Sequence, residues 1–108
     1  MKQLVYGEAS WLIDDEGAAA VIEHAVQMAR LHLADTVEMA VLDFDGTPST
    51  VSLVLGPATM ISAESVIVDW AAPDNTAMVA VLREKSAPTT GAVPQAEAEP
   101  PYLIPDDL

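Results

Sequence analysis

The chain has 108 residues, the length of one domain, and it combines 51% hydrophobic residues with a formal net charge of −13. Disordered chains combine high charge with low hydrophobicity, so this composition argues against disorder over the whole length. The four basic residues form no patch, which argues against nucleic-acid or anionic-membrane binding. The absence of cysteine excludes disulfides, thiolate metal sites and a cysteine nucleophile.

Composition also suggests where the protein resides and what it contacts. The sequence shows no signal peptide, and its apolar runs are far shorter than the roughly 20 residues that span a bilayer, so we expect a cytoplasmic protein. A core built from small apolar residues and five aromatic side chains is thin. Burial of part of its surface in a homodimer would stabilise such a domain. The acidic surface favours a partner protein with a basic surface.

Residues 3–13 alternate in a pattern that predicts two short strands with a turn at Gly7 and Glu8, the alternative being one bent strand. The next segment predicts a helix over about 15–34, which Asp14 or Asp15 would cap. Its apolar positions recur on one face. They are Ala18, Ile22, Ala25, Ala29 and Leu33.

Strands are predicted over 36–44 and 50–55, with a turn at Asp45-Gly46 and with Pro48 interrupting the ladder. Residues 58–62 and 65–69 follow as one bent strand or two short ones. The β-branched content of Ser65-Val66-Ile67-Val68 makes this tetrapeptide the better candidate. A second helix is predicted over about 74–86, with Met78, Val81 and Leu82 on one face.

The character of the chain changes near residue 88. Residues 88–108 hold five of the eight prolines and four acidic residues, which is typical of an extended tail. Residues 1–87 are then the folded domain and carry −9 of the net charge. Tyr102, Leu103 and Ile104 form an apolar cluster between prolines, so we predict that they contact a groove on this domain or on a partner.

Tight turns and the lack of strand–helix–strand crossovers favour antiparallel pairing. The predicted fold class is therefore α+β, with two layers. A curved antiparallel sheet of about four to six strands would be covered by the long helix and by the shorter second helix.

One segment suggests catalysis. Residues 39–47 read Met-Ala-Val-Leu-Asp-Phe-Asp-Gly-Thr and resemble the first motif of the haloacid dehalogenase-like hydrolases, in which an apolar strand precedes Asp-x-Asp-Gly-Thr. The resemblance implies a Mg²⁺-dependent phosphatase on a parallel sheet. Asp43 would be the nucleophile and Asp45 the general acid/base.

The same residues also fit a hairpin end, with aspartates for local hydrogen bonds and Gly46 for a positive φ. We favour this interpretation because the later motifs of that family have no convincing counterpart. Lys85 is the only lysine after the motif, and Asp106-Asp107 is the only later acidic doublet. Loose binding of a divalent cation by Asp43 and Asp45 is a weaker variant, since two carboxylates rarely suffice.

No other constellation predicts a catalytic, metal or cofactor site. His24 and His32 are too far apart on one helix to share a metal, and we expect them to be structural or partly exposed. Trp11 and Trp70 could mark a small-molecule pocket, but core packing is the commoner role. The sequence thus favours a non-enzymatic, homodimeric accessory protein. A phosphatase and a small-molecule binding domain are the alternatives.

Overall fold

The computed structural model describes residues 1–86 and contains five strands and two helices within that range. The predicted tail, with Tyr102, Leu103 and Ile104, lies outside the described residues. The α+β class and the two-layer arrangement are confirmed. In chain order the elements are β1 (Lys2–Tyr6), β2 (Ala9–Ile13), α1 (Asp15–Leu31), β3 (Asp35–Leu42), β4 (Pro48–Leu55), β5 (Ile61–Ser65) and α2 (Thr76–Ser86).

The five strands form one sheet in the order β4-β3-β2-β1-β5, and every neighbouring pair is antiparallel. The predicted β1–β2 hairpin is confirmed, and Gly7 takes a φ of 60° in its turn. β3 and β4 pair over their full length, from Asp35 with Leu55 to Leu42 with Pro48. β2 and β3, in contrast, pair only at Leu12 and Leu42, because the chain leaves the sheet for α1 directly after β2.

The sheet is strongly curved. Tyr6 lies on β1 and Val54 on β4, so two strands separate them, and a flat sheet would hold their backbones about 14 Å apart. The Tyr6 hydroxyl nevertheless donates to the Val54 carbonyl at 2.7 Å. Residues 56–60 also suffice to connect the two edge strands, β4 and β5. On the concave face α1 packs against β1, β4 and β5.

The main core fills the concave side, between the sheet and both helices. Leu4, Val21 and Leu55 are fully buried there, and Val79 and Leu82 bring α2 into the same cluster. Leu12 and Leu42 are also buried, but they alternate with core residues and lie outside the main cluster. They face the convex side, where Leu42 lines a cavity with residues 71–74.

The first helix ends earlier than predicted. α1 stops at Leu31, and His32 closes it in the left-handed conformation with a φ of 56°. The His32 and Leu33 amides donate to carbonyls of the last turn, as in a Schellman motif. Leu33, predicted to continue the apolar face, lies beyond the helix and is 54% exposed. The early end leaves three residues, 32–34, for the reversal into β3.

Two strand predictions need correction. The fifth strand is Ile61–Ser65, not the more β-branched segment that follows, because its partner β1 begins at Lys2 and offers little beyond Ser65 to pair with. Pro48 is the first residue of β4 rather than a break before it. Its nitrogen faces away from β3, where no donor is needed for the ladder.

No helix within residues 1–86 is long and apolar enough to cross a membrane.

Candidate functional site

β2 pairs with β3 only at Leu42, so the rest of that edge of β3 has no strand beside it among the described residues. Asn75 bonds to the first outward peptide group after Leu42, that of Ala40. The Asn75 Nδ2 donates to the Ala40 carbonyl, and its Oδ1 accepts from the Ala40 amide, both at 2.8 Å. A side-chain carboxamide here takes the place of a strand peptide. Nδ2 also donates to Asp14 Oδ1 at 2.8 Å, while the other Asp14 oxygen caps α1 at Gly17. Asn75, only 4% exposed, therefore ties three elements together.

Beyond Ala40, no strand within residues 1–86 pairs with this edge of β3. Successive residues of an antiparallel strand direct their peptide groups to opposite sides, so Thr36 and Glu38 point the same way as Ala40. Within residues 1–86, no hydrogen bond to these two peptide groups was found on that side. As far as residues 1–86 are concerned, two amides and two carbonyls are therefore available to an added strand.

Helix α2 runs beside this open edge and forms a groove with it. The groove has a volume of about 300 Å³ and is largely apolar. Met78 and Val81 contribute to its helical wall, and Val81 is 48% exposed. The full lining comprises Thr36, Val37, Glu38, Ala77, Met78, Val81, Leu82 and Lys85.

The apolar face predicted for α2 is in fact divided between two environments. Val79 and Leu82 are buried in the main core, whereas Val81 is exposed on the groove side and Met78 is half-buried. The short helix α2 has more apolar residues than its core-facing side needs, and this excess is the only trace of the groove in the sequence. It could not be interpreted without knowing that β2 leaves the sheet early.

A charged cluster anchors the other end of α2. The Asp35 Oδ2 accepts from Lys85 Nζ at 2.9 Å and lies 2.8 Å from His24 Nε2. The Lys85 hydrogen bond, followed by that of His24, holds the pKa of Asp35 below its usual value. α1, β3 and α2 are thus joined at one carboxylate. Together with Asn75, this cluster sets the position of α2 along the edge.

His24 and His32 lie in different environments, the first structural and the second exposed. His24 is 1% exposed, because the buried face of α1 centres on Val21 and Ala25. Its Nδ1 has no hydrogen-bond partner among the described residues. His32 is exposed and serves as the C-cap of α1.

Asp43 and Asp45 occupy the turn between β3 and β4. The Asp43 amide donates to the Thr47 carbonyl at 2.8 Å, the Gly46 amide donates to the Asp43 carbonyl at 2.9 Å, and Gly46 has a φ of 88°. Hydrogen bonds from Thr47, first from its side chain and then from its backbone, lower the pKa of Asp45. Both neighbours of β3 are antiparallel, whereas the hydrolase resemblance implies a parallel sheet.

The remaining predicted residues do not converge on a second site. Trp11 packs against the main core, while Trp70 lies over the hairpin, 3.0 Å from the position a Gly46 Cβ would take. Among residues 1–86, no group of three or more His, Cys, Asp or Glu side chains could hold a metal ion.

No protein-family model, curated protein or solved structure was found to match the chain.

Proposed function

We propose that the chain is a non-enzymatic accessory protein that binds an extended segment of a partner protein in the groove between α2 and β3. The observation that carries this proposal is the pair of peptide groups at Thr36 and Glu38, which have no partner among the described residues on the side of an apolar wall. Strand addition to an open sheet edge is a common mode of peptide recognition. The main-chain bonds supply affinity, and the groove supplies selectivity for side chains.

The length of the bound segment follows from the geometry of the edge. A strand that bonds to both Thr36 and Glu38 needs three residues in register, since every second residue faces β3. Asn75 occupies the position beside Ala40 and therefore limits the added strand at that end. Lys85, held by Asp35, lies towards the other end of the groove.

The chemistry of the partner segment follows from charge and from the apolar wall. Residues 1–87 carry a net charge of −9, and the exposed Glu38 lines the groove itself. A segment with an apolar residue for Met78 and Val81, flanked by Lys or Arg, matches both features. Long-range attraction would also raise its association rate. Tyr102, Leu103 and Ile104 stay a predicted contact region, outside the described residues.

A labelled heptapeptide that alternates lysine with valine or leucine is the probe for this proposal. We expect it to shift the backbone amide resonances of Thr36 and Glu38 in ¹⁵N spectra of the full chain. Val81→Lys should weaken binding at least tenfold, because it replaces an apolar contact by a like charge. Val26→Lys is the matched control, since Val26 on α1 is 45% exposed and the change in net charge is identical.

Two results would contradict the groove. One is a set of amide shifts that excludes β3. The other is equal loss of affinity in Val81→Lys and Val26→Lys, which would mean that net charge alone governs binding. The same heptapeptide with alternate residues replaced by proline should not bind, because it lacks the amides that strand addition requires.

A further inference from the structure

β4 and β5 are the outer strands of the sheet formed by residues 1–86, and the outward side of β4 is a further open edge besides that of β3. The inner ladder uses every second residue of β4, so Thr50 and Ser52 direct their peptide groups away from β3. Pro48 has no amide hydrogen to offer on that edge. The Val54 carbonyl is already bonded to Tyr6 and Thr59. Within the described part of the chain, no hydrogen bond was found to the outward peptide groups of Thr50 and Ser52.

This edge lies in the longest uncharged stretch of a highly acidic protein. Residues 46–63 contain no Asp, Glu, Lys or Arg over eighteen positions, although the chain as a whole carries −13. Exposed edge strands are usually protected by charged side chains, particularly lysine, or by bulges. β4 carries only Pro48 as such protection, and its middle is left unguarded.

An apolar surface continues from the C-terminal end of this edge. Val54 and Met60 are 52% and 80% exposed. With Tyr6 and Ala34 they line a cavity of about 490 Å³ beside the loop that follows β4. Contact there would add apolar burial to the backbone pairing, which alone covers little surface.

We propose that β4 pairs with β4 of a second copy of this chain, antiparallel and about a two-fold axis. Two copies that each carry −13 repel one another over most of their surfaces. β4 itself carries no charged side chain, so pairing two copies of it sets no charge of one β4 against the other, and the nearest cross-strand carboxylate is Glu38, opposite Ser52 on β3. An antiparallel pair of identical strands satisfies the symmetry of an isologous dimer. The groove lies on the opposite edge of β3, so this dimer does not depend on the proposed function.

Proline substitutions on the outward sides of β4 and β5 test which of the two outer strands forms the dimer. Thr50→Pro removes an outward amide and leaves the β3–β4 ladder intact. Ala63→Pro is the matched control, because the Ala63 amide points outward on β5, away from β1. The bonds from the Gly7 amide to the Met60 carbonyl and from the Val66 amide to the Met1 carbonyl show that the even-numbered residues of β5 bond to β1. Light scattering over a concentration series should show twice the chain mass for the parent and Ala63→Pro, and a monomer for Thr50→Pro.

Ser52→Glu provides a second variant that keeps every backbone amide. It places a carboxylate of each copy at the edge, and we expect at least a tenfold weaker dimer with an unchanged circular dichroism spectrum. A parent protein that stays monomeric at high concentration overturns the proposal. So does a dimer that survives in both Thr50→Pro and Ser52→Glu, or one that only Ala63→Pro disrupts. Heptapeptide binding should persist in the monomeric variants, so failure of the dimer and failure of the groove are distinguishable.

Discussion

The Asn75 side chain makes three hydrogen bonds to two distant parts of the described chain. Its carboxamide satisfies both edge groups of Ala40 and one oxygen of Asp14. Asn75→Ala removes all three bonds and leaves groups without partners in a part-buried environment. We expect a loss of about 2 to 4 kcal/mol in the free energy of unfolding, measured by urea denaturation.

The control for this prediction is Glu84→Ala, a substitution of an exposed residue on α2, the helix that follows Asn75, and it should cost less than about 0.5 kcal/mol. Asn75→Asp is a further useful comparison, because it retains an acceptor for the Ala40 amide but loses the donor and adds a charge beside Asp14. It should be no more stable than Asn75→Ala. Near-parent stability in either Asn75 variant would mean that water replaces the carboxamide at low cost.

A local sequence pattern could not reveal these residues. Asn75 lies in a segment that reads as a helix start, and a cap is the natural role there. Its partners Asp14 and Ala40 are 61 and 35 positions away. Leu33 does not continue the apolar face predicted for α1, because the helix ends at Leu31. The turn at Asp45-Gly46, in contrast, depends on adjacent residues and was predicted.

At the scale of elements, Asp35 joins α1, β3 and α2 through His24 and Lys85. Its pKa is lower in the folded chain than its usual value of 3.8. A lowered carboxyl pKa stabilises the fold above the unfolded-state value and loses that contribution as the pH falls through the folded-state value. Asp35→Asn should therefore destabilise the domain by about 1 to 3 kcal/mol at neutral pH.

The pH dependence is the specific part of this prediction. The difference in unfolding free energy between the parent and Asp35→Asn should narrow as the pH falls below about 4, because the Asp35 carboxylate of the unfolded chain is protonated there before that of the folded chain. In a Lys85→Met background, Asp35→Asn should cost less unfolding free energy at neutral pH, because the Lys85 bond is the largest cause of the lowered Asp35 pKa. A difference that is constant from pH 7 to pH 3 would contradict a role for the Asp35 charge.

The elements themselves were largely predictable. Alternation of side chains identified β3 and β4, and the apolar period of 3.6 residues identified α1. Strand order was not predictable in the same way, since it depends on which edges meet after the sheet curves. The groove follows from a non-local fact, the short pairing of β2 with β3. No pattern within α2 alone distinguishes a groove wall from a second core face.

At the scale of the whole molecule, the acidic charge acts oppositely on the two proposed interactions. It attracts a basic segment to the groove and repels a second copy from the β4 edge. Added salt screens both effects. We therefore expect heptapeptide affinity to fall and dimer affinity to rise between 50 mM and 500 mM NaCl. Fluorescence anisotropy measures heptapeptide affinity and sedimentation velocity measures dimer affinity on the same protein. A change of both affinities in the same direction would contradict opposite roles of the acidic charge.

The strand order also has a consequence for synthesis on the ribosome. The hairpin of β1 and β2 emerges before the other strands, yet in the folded sheet it lies between β3 and β5. Its two edges stay unpaired until residues 42 and 61–65 have left the exit tunnel. Unpaired edges are sites of aggregation during folding. The nascent chain should thus be most sensitive to protease before β5 emerges, and arrest at successive lengths would locate the step at which protection begins.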